Sequence, residues 1–283
     1  MSEMTYDWHF DDGNTASAIS PAEDPARATQ VMQQVLTESV GPPPAPPVPN
    51  DCLVTLPVGA TINGQPVRAA EVRELTGEDE EALASVATNT LRFFSKVLER
   101  GLVGIGGTKP TPELTTGLYV GDRDALLLAI RRATFGPTLE MKGVPCPGCH
   151  QSVDITVDLA TVPQQGLPDG PHTVQLRGGI AHVTFPTVAD QEHILTDPDA
   201  SDAVKNTRLL ERCLDRIEAP DGTVVKGSAD VARKLGISDR RKVLLYLADH
   251  APGPQLMDIS VEHDGCGKEI PLPLTLADTF LNL

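Results

Sequence analysis

The sequence predicts an α+β protein built from two tandem duplicated halves, and three observations carry that expectation. Residue pairs recur 117 positions apart: Asp122-Arg123 with Asp239-Arg240, Leu127-Leu128 with Leu244-Leu245, Gly136-Pro137 with Gly253-Pro254, Leu159 with Leu276, and Asn89-Thr90 with Asn206-Thr207. A knuckle motif recurs at the same spacing, as Cys146-Pro147-Gly148-Cys149 and then His263-Asp264-Gly265-Cys266. Strand-like and helix-like runs precede each knuckle in the same order, the mark of an internal repeat. The halves are expected at residues 51–165 and 166–283, related by a pseudo-twofold and joined at their knuckles.

The first half should open with a hairpin. Val54 to Val58 and Val67 to Val72 flank Asn63-Gly64, a dipeptide suited to a tight turn. Thr76-Gly77-Glu78-Asp79 has the pattern of a helix N-terminus. The run Glu78-Asp79-Glu80-Glu81 sits where a helix dipole favours negative charge, which explains these carboxylates without acid–base chemistry. A second helix is expected over Leu91, Phe94, Val97, Leu98 and Leu102. A third runs from Asp122 through Ile130, ended by Gly136 and Pro137. A strand around Leu139–Val144, the knuckle and a strand to Leu159 complete the half.

The second half repeats the order. His172–Leu176 and Ile180–Phe185 flank Gly178-Gly179, and Thr187-Val188-Ala189-Asp190 repeats the helix start. Leu209 to Ile217 should form the second helix and Val243 to Leu247 the third. Strands are expected at Met257–Val261 and Ile270–Leu276, either side of the knuckle. Pro163, Gly166, Pro168 and Gly170 mark the break between halves. Residues 1–50 differ in character. Gly41-Pro42-Pro43-Pro44-Ala45-Pro46-Pro47-Val48-Pro49 is a polyproline-type spacer. Val31, Met32, Val35, Leu36 and Val40 before it form an apolar stripe at helical spacing. This segment reads either as a short amphipathic helix on a stiff tether, able to dock on a partner, or as a solvated tail.

The knuckles supply the chemistry. Cys146, Cys149, His263 and Cys266 are the candidate metal ligands, because zinc is held tetrahedrally by four Cys or His donors offered in short turns. Four protein donors leave no open position, so such a zinc is structural. Gly148 and Gly265 should give each turn its conformational freedom. His150 is an alternative ligand. A redox dithiol or inert thiols are the competing readings of Cys146 and Cys149; a redox pair wants a helix after the motif, whereas strand-like Val153-Asp154-Ile155-Thr156-Val157 follows. Cys213 reads as a core residue, and the sequence assigns no role to Cys52.

Composition bounds the function. A net charge of −16 argues against nucleic acid, whose binders neutralise phosphates with Lys and Arg, and the 4% aromatic content is low for base stacking. An acidic chain can still bind basic protein partners. No apolar run approaches the roughly 20 residues of a membrane span. The N-terminus lacks the basic start and apolar stretch of a signal peptide. An odd cysteine count, with three of the five in the knuckles, fits a reducing cytoplasm. Catalytic signatures are sparse. Gly104-Ile105-Gly106-Gly107-Thr108-Lys109 lacks phosphate-loop spacing and is followed by Pro110 and Pro112. No G-x-S-x-G or H-E-x-x-H motif occurs. His182 and His193 are scattered, and His250 reads as a favourable charge near a helix end.

Several segments carry a family resemblance. They are Val72-Arg73-Glu74-Leu75-Thr76-Gly77-Glu78-Asp79-Glu80, Val120-Gly121-Asp122-Arg123-Asp124-Ala125-Leu126-Leu127-Leu128, the first knuckle, and Val153-Asp154-Ile155-Thr156-Val157-Asp158-Leu159. Phe185-Pro186-Thr187-Val188-Ala189-Asp190-Gln191-Glu192, Leu209-Leu210-Glu211-Arg212-Cys213 and the closing Cys266-Gly267 turn follow. In this order, from about residue 50 to the C-terminus, the chain resembles the T4-type phage baseplate hub assembly chaperones, whose relatives occur in contractile injection system clusters. His263 stands where that pattern would begin a second cysteine pair, and histidine also ligates zinc. The resemblance implies a non-enzymatic assembly chaperone or structural component of the baseplate or hub of a contractile phage-tail-like particle. Its partners would be baseplate, hub or tape-measure proteins, with no nucleic acid. It would be cytoplasmic or incorporated in the particle. The rival readings are a zinc-ribbon regulator that binds nucleic acid, which the charge disfavours, and a metal-dependent enzyme, which needs an open zinc position.

Overall fold

Asn63 and Gly64 both take left-handed backbone angles, φ 51° and 78°, which is the two-residue turn that matches the twist of paired strands. In the computed structural model, which describes residues 52–86 and 90–280, they join β1 (Leu53–Ile62) to β2 (Gln65–Val72) with Ile62 opposite Gln65. The apolar stripe and proline spacer of the N-terminal segment, and Asn89, lie outside the described residues. After β2 come α1 (Gly77–Ala84) and α2 (Thr90–Gly101), and α2 runs directly into β3 (Leu102–Ile105). β3 returns antiparallel to β2, giving the sheet order β1-β2-β3. α3 (Pro112–Thr116) leads to α4 (Val120–Phe135), which Gly136 ends at φ 82°. β4 (Thr138–Pro145) and β5 (Ser152–Asp158) then form an antiparallel hairpin.

A short strand β6 (Gln164–Gln165) precedes the second hairpin, β7 (Thr173–Leu176) and β8 (Gly179–Val183). Next are α5 (Val188–Ile194), α6 (Asp202–Cys213), β9 (Leu214–Glu218) and β10 (Val224–Lys226), in the sheet order β10-β9-β8-β7. α7 (Ala229–Lys234) and α8 (Ile237–Asp249) lead to β11 (Gly253–Pro254), which pairs with β6. β12 (Ser260–Glu262), β13 (Glu269–Pro271) and α9 (Leu276–Phe280) close the described chain. The mixed α+β character is as expected. Hairpin, two helices, a strand returning to the hairpin, further helices and a knuckle hairpin occur in that order twice.

The details correct several expectations. Leu209 to Ile217 is not one helix: α6 stops at Cys213, and Leu214–Glu218 pairs with β8. The local apolar spacing is overridden by the ladder bonds a sheet neighbour offers. Met257–Val261 is not a strand throughout, because Leu256–Asp258 forms a 3-10 turn and pairing begins at Ser260. Ile270–Leu276 ends as a strand at Pro271, since Pro271 and Pro273 lack ladder donors. There Thr275 donates its N–H and hydroxyl to the Asp278 carboxylate, both at 2.7 Å, starting α9. The recurrence is also gapped. Thr187 and Asp190, 111 positions after Thr76 and Asp79, make the same helix start: each Asp carboxylate accepts from the Thr N–H and hydroxyl. The 117 spacing applies only from the long helices onward. Thr90 opens α2, whereas Thr207 lies inside α6.

Three cores form. Leu56, Val97, Ile105, Leu126 and Ile130 fill the first, between the β1–β3 sheet and helices α2 and α4; buried Cys52 belongs to it. Val174, Ala181, Leu210, Cys213 and Val243 fill the second, between the β7–β10 sheet and helices α6 and α8. Cys213 is a core residue as expected, its thiol pushed up to about 12 by burial. The third core joins the two knuckle hairpins: Leu139, Ile155 and Val157 meet Leu256, Ile270 and Leu272.

Buried polar groups pin these parts. At the start of α4, Asp122 accepts from the Val58 and Gly59 amides at 2.8 and 3.0 Å. At the start of α8, Asp239 accepts from the Arg177 amide at 3.3 Å. Burial pushes the Asp122 carboxyl up, and the two amides and Arg68 oppose that. Arg131 donates to the carbonyls of Thr279, Gly136 and Thr138 at 3.0, 2.6 and 3.0 Å. Asp79 accepts from the Arg73 guanidinium at 2.8 and 3.0 Å. Chiefly through Arg73, its carboxyl is held well below the usual range.

Two stability predictions follow from these contacts. A Cβ on Gly121 would fall 1.8 Å from the Pro252 carbonyl oxygen. Gly121→Ala should therefore lower stability by about 2 kcal/mol or more in denaturant unfolding, as overpacking against backbone does. For Asp79, a depressed folded pKa means its stabilisation is complete above about pH 4 and lost as the pH falls below that. Asp79→Asn should cost about 1 kcal/mol at neutral pH, since Arg73 is partly screened. The gap between wild type and variant should close in acid melts.

Candidate metal centre

Each knuckle closes a hairpin by the same backbone bonds. The Cys146 N–H donates to the Gln151 carbonyl and the His150 N–H to the Cys146 carbonyl, both at 2.9 Å. In the second knuckle, His263 N–H donates to the Lys268 carbonyl at 2.9 Å and Gly267 N–H to the His263 carbonyl at 2.8 Å. The left-handed residue is the fifth of each turn, His150 at φ 59° and Gly267 at φ 66°. This corrects the role expected of Gly148 and Gly265, neither of which has positive φ. What their missing side chains give is room. A Cβ on Gly148 would lie 2.5 Å from Lys268 Cγ, and one on Gly265 would lie 3.0 Å from His263 Nε2.

The two turns bring Cys146, Cys149, His263 and Cys266 together, with all four donor atoms within 4.8 Å of one another. Cys146 Sγ lies 3.6 Å from Cys266 Sγ, and His263 Nδ1 lies 3.3 Å from Cys149 Sγ and 3.2 Å from Cys266 Sγ. Tetrahedral zinc, with bonds of about 2.3 Å to sulfur and 2.0–2.1 Å to nitrogen, spaces its donors about 3.5–3.8 Å apart. The three short contacts lie within about 0.3 Å of that spacing, and the wider pairs, up to 4.8 Å, must draw in by up to about 1 Å to seat the ion. The cluster could hold a metal ion, and its three sulfurs and one imidazole suit zinc.

Electrostatics point the same way. Cys146 is buried, and the Cys149 amide leads the influences that bring its thiol down to about 6. Burial opposes this; the Gly148 amide, 3.4 Å from the sulfur, assists. The Lys268 amide pulls the Cys266 thiol down, but burial and the Cys146 and Cys149 sulfurs outweigh it and the thiol is raised. One thiolate forms readily and resists a second beside it. A bound cation removes that conflict.

The remaining candidates stand apart. His150 is exposed and is not among the four. β5 begins two residues after it, where a redox motif would place a helix. Ile105 and Thr108 exchange backbone bonds at 3.0 and 2.9 Å, closing Gly106 and Gly107 into a tight turn instead of a phosphate loop. His250 ends α8, stacked on Tyr246 at 4.3 Å. His182 has a neighbour that sequence reasoning missed: its Nε2 lies 3.5 Å from the Glu218 carboxylate, across a strand pairing that depends on β9. Among the described residues, no helix is long and apolar enough to cross a membrane.

Residues 56–234 match the family described as T4 bacteriophage base plate protein. The match takes in the β1–β3 sheet, the first knuckle with Cys146 and Cys149, the β7–β10 sheet and α7, and it ends before His263 and Cys266. No curated protein and no solved structure matches the chain significantly. Matched over more than half of its length, the chain belongs to the T4 bacteriophage base plate protein family.

Proposed function

We propose that the protein is a non-enzymatic assembly chaperone or structural component of the baseplate hub of a contractile, phage-tail-like particle. In this reading one structural zinc, held by Cys146, Cys149, His263 and Cys266, staples two duplicated halves, residues 51–165 and 166–283. The convergence of four soft donors from two like turns carries the proposal. The duplication is supported by the paired helix starts at Thr76 and Thr187 and by Asp122 and Asp239, each clamping a hairpin from the head of a long helix. A gap between sheet and long helix accounts for the two spacings.

The staple acts on the third core, where the hairpins meet. Structural zinc contributes roughly 10–16 kcal/mol of apparent binding energy in zinc-finger peptides, and whole domains are stable by about 5–15 kcal/mol. Even part of that would dominate how firmly the halves pair. All four positions are taken by protein, so the ion would have no place for substrate. The net charge of −16 also opposes a nucleic-acid-binding zinc ribbon. Hub, baseplate or tape-measure proteins are the partners this role requires, met in the cytoplasm or in the particle, with residues 1–50 as a tether.

Mass spectrometry of the native protein should find one zinc per chain, absent from Cys149→Ser together with a lower melting temperature. Equal metal content and melting in the variant would remove the staple. Co-expressed with baseplate hub subunits, the full chain should co-purify with them, and a form lacking residues 1–50 should do so less. Equal recovery would rule out the tether.

A further inference from the structure

Met257 stands 63% exposed on the segment between β11 and β12, with a depression on each side of it. The larger, about 650 Å³, is walled by Phe185, Leu209, Leu244 and Leu247. The smaller, about 460 Å³, is walled by Leu91, Phe94, Leu195 and Leu276. Both include Asp124, Pro254, Leu256 and Met257, so they form one groove with Met257 as its ridge. Asp124, Asp249 and Asp258 are among the residues lining the larger part, with no Lys or Arg among them; Asp124 is paired with Arg123, which leaves Asp249 and Asp258 as its free acidic residues. Arg123 reaches only the smaller part, where its guanidinium is engaged by Asp124 and by Gln191.

We propose that this groove docks an amphipathic helix of a partner subunit, apolar on one face and flanked by Lys or Arg. Two adjoining apolar depressions suit successive anchors along one face of a helix. Strand addition is not on offer: β11 already pairs with β6, and Pro254 has no amide to give an added strand. The sign of the flanks follows from the groove. Carboxylates at an apolar wall lose solvation when covered, and a cation beside them restores it. A second copy of this chain, itself carrying −16, would meet like charge instead. The inference deepens the assembly role above by stating the chemistry of the partner.

A direct test uses the full chain and a fluorescent synthetic helix about 18 residues long, with leucines at i, i+3, i+4 and i+7 and lysine flanks. Its twin carries glutamate flanks. Anisotropy should show the lysine peptide bound at least about tenfold more tightly than its twin. Met257→Asp should weaken it about tenfold or more, although that change adds attractive charge to the protein. Asp249→Asn with Asp258→Asn should weaken it and narrow the preference. Leu245→Asp, at an exposed leucine outside the groove, should leave binding unchanged.

Absence of binding, or equal binding to Met257→Asp and wild type, would overturn the proposal; the latter would mean diffuse attraction to an acidic surface. So would a self-association that Met257→Asp abolishes, since the occupant would then be a second copy. If Met257→Asp still co-purifies with hub subunits as wild type does, the groove assignment falls and the assembly role stands.

Discussion

Three sulfurs and an imidazole nitrogen, drawn from segments some 120 residues apart, are held within 4.8 Å of one another, and the remaining architecture converges on that point. The β1–β3 and β7–β10 sheets each have a core of their own, sheet against helices. The hairpins β4–β5 and β12–β13 have too little apolar surface for separate cores and share one. Their tips are the knuckles. Close packing below brings the four donors together, and above it the Cys146 sulfur helps to raise the Cys266 thiol.

A second constraint acts twice. Asp122 and Asp239 stand at the heads of the two long helices, buried, and grip backbone amides of the hairpin in their own half. A carboxylate in that position completes the hairpin's hydrogen bonding and sits at the positive end of a helix. It ties the hairpin to the head of the helix.

What could be read in the sequence was whatever depends on near neighbours. Asn63-Gly64 dictates its turn, Thr76 with Asp79 and Thr187 with Asp190 dictate their helix starts, and the knuckle spacings dictate their loops. Features settled by distant partners were not legible. Leu214–Glu218 becomes a strand only because β8 lies beside it. Arg73 closing on Asp79, and Glu218 on His182, depend on where sheets and helices meet. The role of Gly148 depends on Lys268, on the other knuckle. The prolines at 271 and 273 did carry a local signal, and it outweighs the apolar run around them.

The contact between Gly121 and Pro252 has one more consequence. It presses the first turn of α4 against the backbone leading to β11, and β11 is tied to β6. The chain approaching the second knuckle is thus located by α4 and β6 through backbone contact, beside the apolar core that the two knuckle hairpins share. The four donors of the knuckles therefore stand at the end of a path fixed by packing in the body of the molecule.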